Sequence, residues 1–199
     1  MQIKDVERIA LLSMELDIRP QKLREIEEQQ KYILNRAEPI HYYNFLFLLS
    51  RVTGASRNVE LGTLHGASAW HLGEGHWTGP AVHTIDTDLP VTNTFLKRSS
   101  DSFGPNVYIH TGDSLKFKPE NYFSTLQIDI LFADSVHTYE HILAEYNKYR
   151  PYMAKDGVMI FDDIHISPEM ERFWEELPDP KVDISFLHSE TGFGACIIQ

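Results

Sequence analysis

The sequence predicts an α/β fold, a mostly parallel sheet flanked by helices and finished by an antiparallel hairpin. The first observation behind this is the alternation, from Asn58 onward, of short apolar strands with loops and helical stretches. That alternation is the pattern of strand–helix–strand units in a parallel sheet with right-handed crossovers. The second is that strand after strand ends in an acidic residue, as at Asp86, Asp134 and Asp162. The third lies at the C-terminus, where two strands are separated only by a turn at Glu190-Thr191-Gly192. Strands joined so tightly must be antiparallel, because a parallel pair needs a long crossover.

Residues 4 to 36 predict two helices split near Arg19-Pro20. Val6, Ile9, Leu12 and Leu16 recur at helical spacing, as do Leu23, Ile26, Ile33 and Leu34. Pro20 suits a first helical turn, and Glu27 to Lys31 is a favourable i,i+4 pair. Residues 1–37 therefore read as a helical appendage packed on the main domain, with a lid over a substrate site as the alternative. The main domain spans 38–199. Pro39 starts a third helix with an apolar face (Phe45, Leu46, Leu48, Leu49, Val52) that stops at Gly54. His41, Tyr42 and Tyr43 occupy its first turn, where core packing explains most such aromatics and pocket lining some of them.

The strand Val59-Glu60-Leu61 then turns at Gly62 and leads into a helix beginning at Gly66-Ala67-Ser68. Further strands are expected at Ala81–Asp86, Val107–Thr111, Ile128–Phe132 and Val158–Phe161. Val91–Ser100, an irregular Lys116–Leu126 and a helix from Thr138 to Met153 connect them. A helix over Pro168–Leu177 precedes the closing strands Val182–His188 and Phe193–Ile198.

Composition bounds the function. With 199 residues, 42% apolar and 24% charged, the chain suits one globular domain with a sizeable core. The balance is acidic, 29 Asp plus Glu against 18 Lys plus Arg, and no basic run stands out. Binding to a nucleic-acid backbone is therefore not expected. Cys196 is the only cysteine, which fits a reducing compartment. No stretch has the apolar length of a membrane span or a signal peptide, so a soluble cytoplasmic protein is expected. A homo-oligomer remains open.

The chemistry is expected at the strand ends. Glu60, Gly62 and Gly66 form an E-x-G-x-x-x-G loop. Gly62 permits a sharp turn and close backbone approach, and the helix after Gly66 directs free N–H groups at a ligand. Neither the dinucleotide G-x-G-x-x-G nor the phosphate-loop pattern is present. Glu60, Asp86, Asp113, Asp134 and the pair Asp162-Asp163 all fall near strand ends. Ligands of open α/β sheets bind beyond those carboxyl ends.

Two segments then stand together: Asp134-Ser-Val-His137-Thr-Tyr139-Glu140, and Gly157-Val-Met-Ile-Phe-Asp162-Asp163. From about Pro39 to the C-terminus the chain resembles the class I S-adenosylmethionine-dependent methyltransferases. Within them it looks most like the O-methyltransferases related to catechol O-methyltransferase, nearest the macrocin and mycinamicin sugar O-methyltransferases. The resemblance implies a Rossmann-like fold with a seven-stranded sheet, and methyl transfer to a hydroxyl of a small molecule. It implies that Glu60, Gly62, Thr63, Gly66 and Ser68 hold the methionine part of S-adenosyl-L-methionine. Asp86 would take the ribose hydroxyls, with Asp88 the fallback, and Asp113 with Ser114 would meet the adenine. Asp134, Asp162 and Asp163 would bind a divalent metal, magnesium first, and His137 would be the general base beside Asp134.

Plainer readings stand beside these. Asp162-Asp163 could be a solvated loop, His137 a satisfied helix-start histidine, and His165 a neighbour of the acid pair or simply exposed. His65 and His71 are assigned no chemistry, and Trp70 and Trp174 are read as packing residues. A nicotinamide-dependent oxidoreductase is the alternative enzyme, disfavoured by the glycine spacing and the reversed terminal hairpin. A non-catalytic binding module of the same fold is disfavoured by the acids at successive strand ends.

Overall fold

The computed structural model describes residues 1–16, 41–64, 66–74, 81–88, 107–125, 127–188 and 191–199. The expected helix around Leu23–Leu34, the Val91–Ser100 connection, His65 and Glu190 lie outside them. The elements run α1 (Ile3–Ser13), α2 (His41–Thr53), β1 (Arg57–Leu61), α3 (Ala67–Glu74), β2 (Ala81–Asp86), β3 (Val107–Thr111) and β4 (Ile128–Ala133). Then follow α4 (Tyr139–Tyr149), β5 (Met153–Asp162), α5 (Pro168–Glu176), β6 (Lys181–Asp183) and β7 (Phe193–Ile197).

The strands form one 7-stranded sheet in the order β3-β2-β1-β4-β5-β7-β6. β1 pairs parallel with both β2 and β4, and β4 with β5. β7 runs antiparallel to β5 and to β6, although the connection from Asp183 to Phe193 is longer than the tight turn the sequence suggested. Chain order reverses direction between β1 and β4, so their carboxyl ends open a crevice there.

Strand residues alternate between two cores. Ile130, Phe132, Val158, Ile160 and Ala195 face α1, α2 and α3, while Leu131, Met159, Phe161 and Cys196 face α4 and α5. This is the period of two expected of a sheet covered on both faces. Val6 and Ile9 of α1 are buried in the first core beside Phe45 and Leu49 of α2. Trp70 and Trp174 are buried too, and Trp174 lies over Gly194, where a Cβ would come within 2.6 Å of its ring. Arg150 forks the Asp179 carboxylate at 2.8 and 3.0 Å and ties the end of α4 to the loop before β6.

Several boundaries differ from expectation: α1 ends at Ser13, short of Leu16, and β5 runs over Met153–Asp162 rather than Val158–Phe161. The strand expected over Val182–His188 stops at Asp183, because the Asp183 carboxylate accepts from the Ser185 N–H at 2.9 Å and turns the chain into a short 3₁₀ segment. The helix expected to reach Met153 ends at Tyr149, where Pro151 forces a 3₁₀ turn, and β5 begins at Met153. Among the described residues no helix is long and apolar enough to cross a membrane.

Candidate active site

The loop after β1 is fixed by polar contacts that run back to β2. Gly62 sits at φ +96°, and a Cβ there would come within 1.8 Å of the Asp134 carbonyl oxygen. Only glycine lets the β1 loop lie against the β4 loop. Asp86, ending β2, accepts from the Thr63 and Leu64 N–H groups at 2.8 and 2.9 Å through Oδ2, and from Asp88 N–H at 3.0 Å through Oδ1. Thr84 donates to Glu60, so the Thr63 hydroxyl must donate to Thr84. Thr63 thus points inward.

Glu60 is fully buried. Burial pushes its carboxyl up to about 7, although the Ser68 and Thr84 hydroxyls and the Ala69 N–H favour the ionised form. Its Oε1 completes no hydrogen bond within the described residues. Asp134 at the end of β4 is likewise raised, first by burial and then by the charges of Asp162, Glu60, Asp163 and Asp86. Glu60, Asp86, Asp134, Asp162 and Asp163, expected at separate strand ends, therefore share one crevice, and Asp113 is not among them.

His137 stands among them. Its Nε2 lies 3.6 Å from Asp134 Oδ1 and 3.5 Å from Asp163 Oδ2, and it too completes no hydrogen bond. Asp163 adopts φ +58°, a conformation uncommon outside glycine that directs consecutive carboxylates together. Asp162, Asp163 and His188 bring their ligand atoms within 4.8 Å of one another. His188 Nδ1 is 3.2 Å from Asp162 Oδ1. Asp134 is outside that trio, on the His137 side.

The sequence reading missed His188. It lay in what looked like a plain strand, and only the Asp183 turn swings it to the site. Tyr42 and Tyr43 also face the acids: their hydroxyls are raised mainly by burial, and Asp134 and Asp162 act on both. Tyr42 packs on His188 with ring centroids 5.0 Å apart, and Tyr43 stacks on His71 at the same separation. His71 is therefore a packing and hydrogen-bonding partner inside α3, its Nδ1 2.7 Å from the Ala67 carbonyl.

Asp113 and Ser114 follow β3 at the far side of the crevice. Asp113 caps its own turn through Leu115 N–H at 2.8 Å, and the Ser114 hydroxyl donates to Glu145 on α4. His165 bonds Asp183 at 2.8 Å, away from the trio.

This crevice and fold define a class. A family model described as a methyltransferase domain matches residues 59–164, just over half of the chain. The chain belongs to that family and is an enzyme of the methyltransferase class. Similar solved structures include the O-methyltransferase TomG of Streptomyces achromogenes, involved in tomaymycin synthesis and solved with SAM. It is 18% identical with a TM-score of 0.70, covering 100% of this chain and 99% of that one. An O-methyltransferase of Bacillus cereus in complex with SAH is 20% identical with a TM-score of 0.66, covering 100% of both chains. The SAH-bound methyltransferase PaMTH1 of Podospora anserina is 13% identical with a TM-score of 0.70, covering 100% of this chain and 97% of that one. No curated protein matches the sequence. The seven-stranded sheet with its reversed last strand is the Rossmann-like methyltransferase fold.

Proposed function

We propose that this protein is an S-adenosylmethionine-dependent O-methyltransferase acting on a hydroxyl of a small molecule, sugar or catechol-like, with a divalent metal. The observation that carries the reading is the convergence of Glu60, Asp86, Asp134, Asp162 and Asp163 on one crevice, with Glu60 Oε1 and His137 Nε2 left without hydrogen-bond partners among the described residues. A buried acceptor-only oxygen is costly unless a ligand donates to it. The amino group of S-adenosylmethionine is such a donor. SAM- and SAH-bound neighbours of the same fold support that cofactor.

In this reading Glu60, Gly62, Thr63, Gly66 and Ser68 shape the methionine end. Asp86 keeps one lone pair on Oδ1 for a ribose hydroxyl while its N–H contacts hold the loop. Asp113 and Ser114 border the adenine. The site fits a cation, because carboxylates that repel one another favour a positive charge between them. Asp162 and Asp163, with Asp134 across the crevice, would hold it, and His188 would orient Asp162. A divalent ion there supplies Lewis acidity that lowers the pKa of an alcohol and fixes its direction. The His137 imidazole takes the acceptor's proton at Nε2, flanked by Asp134 and Asp163, which stabilise the imidazolium that forms. Tyr42 and Tyr43 wall the acceptor side and exclude water.

The N-terminal residues 1–37 are proposed as a helical appendage to the catalytic domain, and the sequence likeness to catechol and macrocin-type enzymes supports the O-methyltransferase branch. Transfer of labelled methyl from S-adenosylmethionine to a panel of sugars and catechols tests the reading. Transfer should stop in excess chelator and return with magnesium or manganese. Full activity in chelator would remove the metal and leave the acids as polar walls.

A further inference from the structure

Glu145 is a carboxylate that no step above uses. It sits in the middle of α4 with 1% of its surface exposed. Ionised groups are rarely buried without a full set of hydrogen bonds, and Glu145 has them. The Ser114 hydroxyl donates to Oε1, the Ser135 hydroxyl lies 2.8 and 2.9 Å from the two oxygens, and His141 Nε2 is 3.1 Å from Oε1 one turn earlier. Ser114 belongs to the loop after β3 and Ser135 to the loop after β4. In the sheet those strands are separated by β2 and β1. One side chain therefore spans the crevice from beneath.

α4 grips the first of these loops at further points. The Tyr149 hydroxyl donates to the Ser114 carbonyl at 2.8 Å, and Lys148 Nζ donates to the Leu115 carbonyl at 2.5 Å. Each serine held by Glu145 follows directly on a strand-end acid, Asp113 in one loop and Asp134 in the other. The carboxylate thus sets the separation of the two acids. We propose that Glu145 is a positioning residue for the adenosyl end of the cofactor, holding the β3 and β4 loops at the spacing that cofactor needs. The inference rests on the cofactor reading above.

Removing only the carboxylate leaves the Ser114 and Ser135 hydroxyls without their acceptor, so Glu145→Leu should lower the melting temperature as well as affinity. Ser135→Ala and Glu145→Gln therefore separate positioning from stability. Calorimetric titration with S-adenosylhomocysteine should show about tenfold weaker binding in Glu145→Leu, the cost of losing a charge-assisted hydrogen bond. Glu145→Gln, whose amide oxygen still accepts from both serines, should recover most of that loss. Ser135→Ala removes one strut only and should weaken binding about threefold; it serves if Glu145→Leu does not fold. Wild-type affinity in folded Glu145→Leu or in Ser135→Ala would overturn the positioning role. Failure of the unsubstituted protein to bind S-adenosylhomocysteine would overturn the cofactor reading and this inference with it, and it shows before any substitution is made.

Discussion

The amino and carboxyl edges of the sheet both carry acids and both are concave, yet they differ in how those acids are satisfied. At the amino edge a cavity of about 630 Å³ opens between α1, the end of α2 and the start of β5, lined by Ile9, Val52 and Val158 among others. Of its three lining acids, Asp129 accepts through Oδ2 from the Ser56 N–H and hydroxyl at 2.7 and 3.0 Å and from the Arg57 N–H at 3.0 Å, Asp5 accepts from the Gln2 N–H at 2.9 Å, and Asp156 Oδ2 lies 3.8 Å from the Met1 nitrogen. At the carboxyl edge Asp134 faces Asp162, Glu60, Asp163 and Asp86. Among the described residues Glu60 Oε1 and His137 Nε2 complete no hydrogen bond there, and near the amino end of β1 only the neutral amide oxygen of Asn58 is left in the same state. Volume marks the amino edge and unmet titratable groups mark the carboxyl edge. The second is the better guide to chemistry, since a buried polar atom without a partner costs stability that only a ligand returns.

The largest expected effect tests the chemistry at the carboxyl edge. His137→Ala should lower turnover by about 10²–10⁴-fold, the usual loss of a positioned general base, with cofactor affinity nearly unchanged. The loss should shrink at high pH, where hydroxide can take the proton. Near-normal turnover across pH would make the histidine structural.

Gly62→Ala comes next. The added Cβ meets the Asp134 carbonyl and the backbone resists φ +96°, so unfolding should be easier by on the order of 3 kcal/mol in a denaturant titration. Cofactor binding should fall with it, since the β1 and β4 loops must part. A variant as stable as wild type would show that the loops can separate freely.

Asp129→Ala at the amino edge is the control. It should cost about 1–2 kcal/mol in stability, the loss of a charge-assisted cap, and leave cofactor affinity untouched. A large drop in cofactor affinity would erase the contrast between the edges.

The smallest effect is in pH. Glu60 has its pKa raised from 4.5 to about 7, so the folded protein binds a proton there that the unfolded chain releases. The stability this lends is present below 4.5 and is lost as pH rises to 7. Melting of the ligand-free protein should fall over that interval, and Glu60→Gln should flatten the slope. His83 works in the opposite sense. Burial and its neighbour His110, 2.9 Å away, lower it from 6.5 to about 4. Its contribution is present above 6.5 and lost as pH falls to 4. His83→Gln should remove that acid-side loss.

Much of this architecture was legible because period and punctuation coincide. β2 and β3 begin and end where alternation and flanking residues place them. Pro168 after Ser167 marks the start of α5, where Ser167 Oγ accepts from Met170 N–H at 3.3 Å. The acids at strand ends could be read as a group because a parallel sheet sends all its carboxyl ends to one edge. His188 and Glu145 were not legible, and Tyr42 was legible only as one of three first-turn aromatics, some of which could line a pocket. Each reaches the crevice region through tertiary geometry, His188 by a turn after β6, Tyr42 by the docking of α2, Glu145 from the middle of a helix. The local pattern around each is indistinguishable from that of a packing or solvated residue.

Equilibrium dialysis tests the central claim most directly. S-adenosylmethionine and NAD are dialysed separately against the protein, each with and without magnesium, and against Glu60→Gln alongside. The unmatched carboxyl edge should retain S-adenosylmethionine in preference to NAD, and Glu60→Gln should retain less of it. Tight retention of NAD with no retention of S-adenosylmethionine would contradict the account.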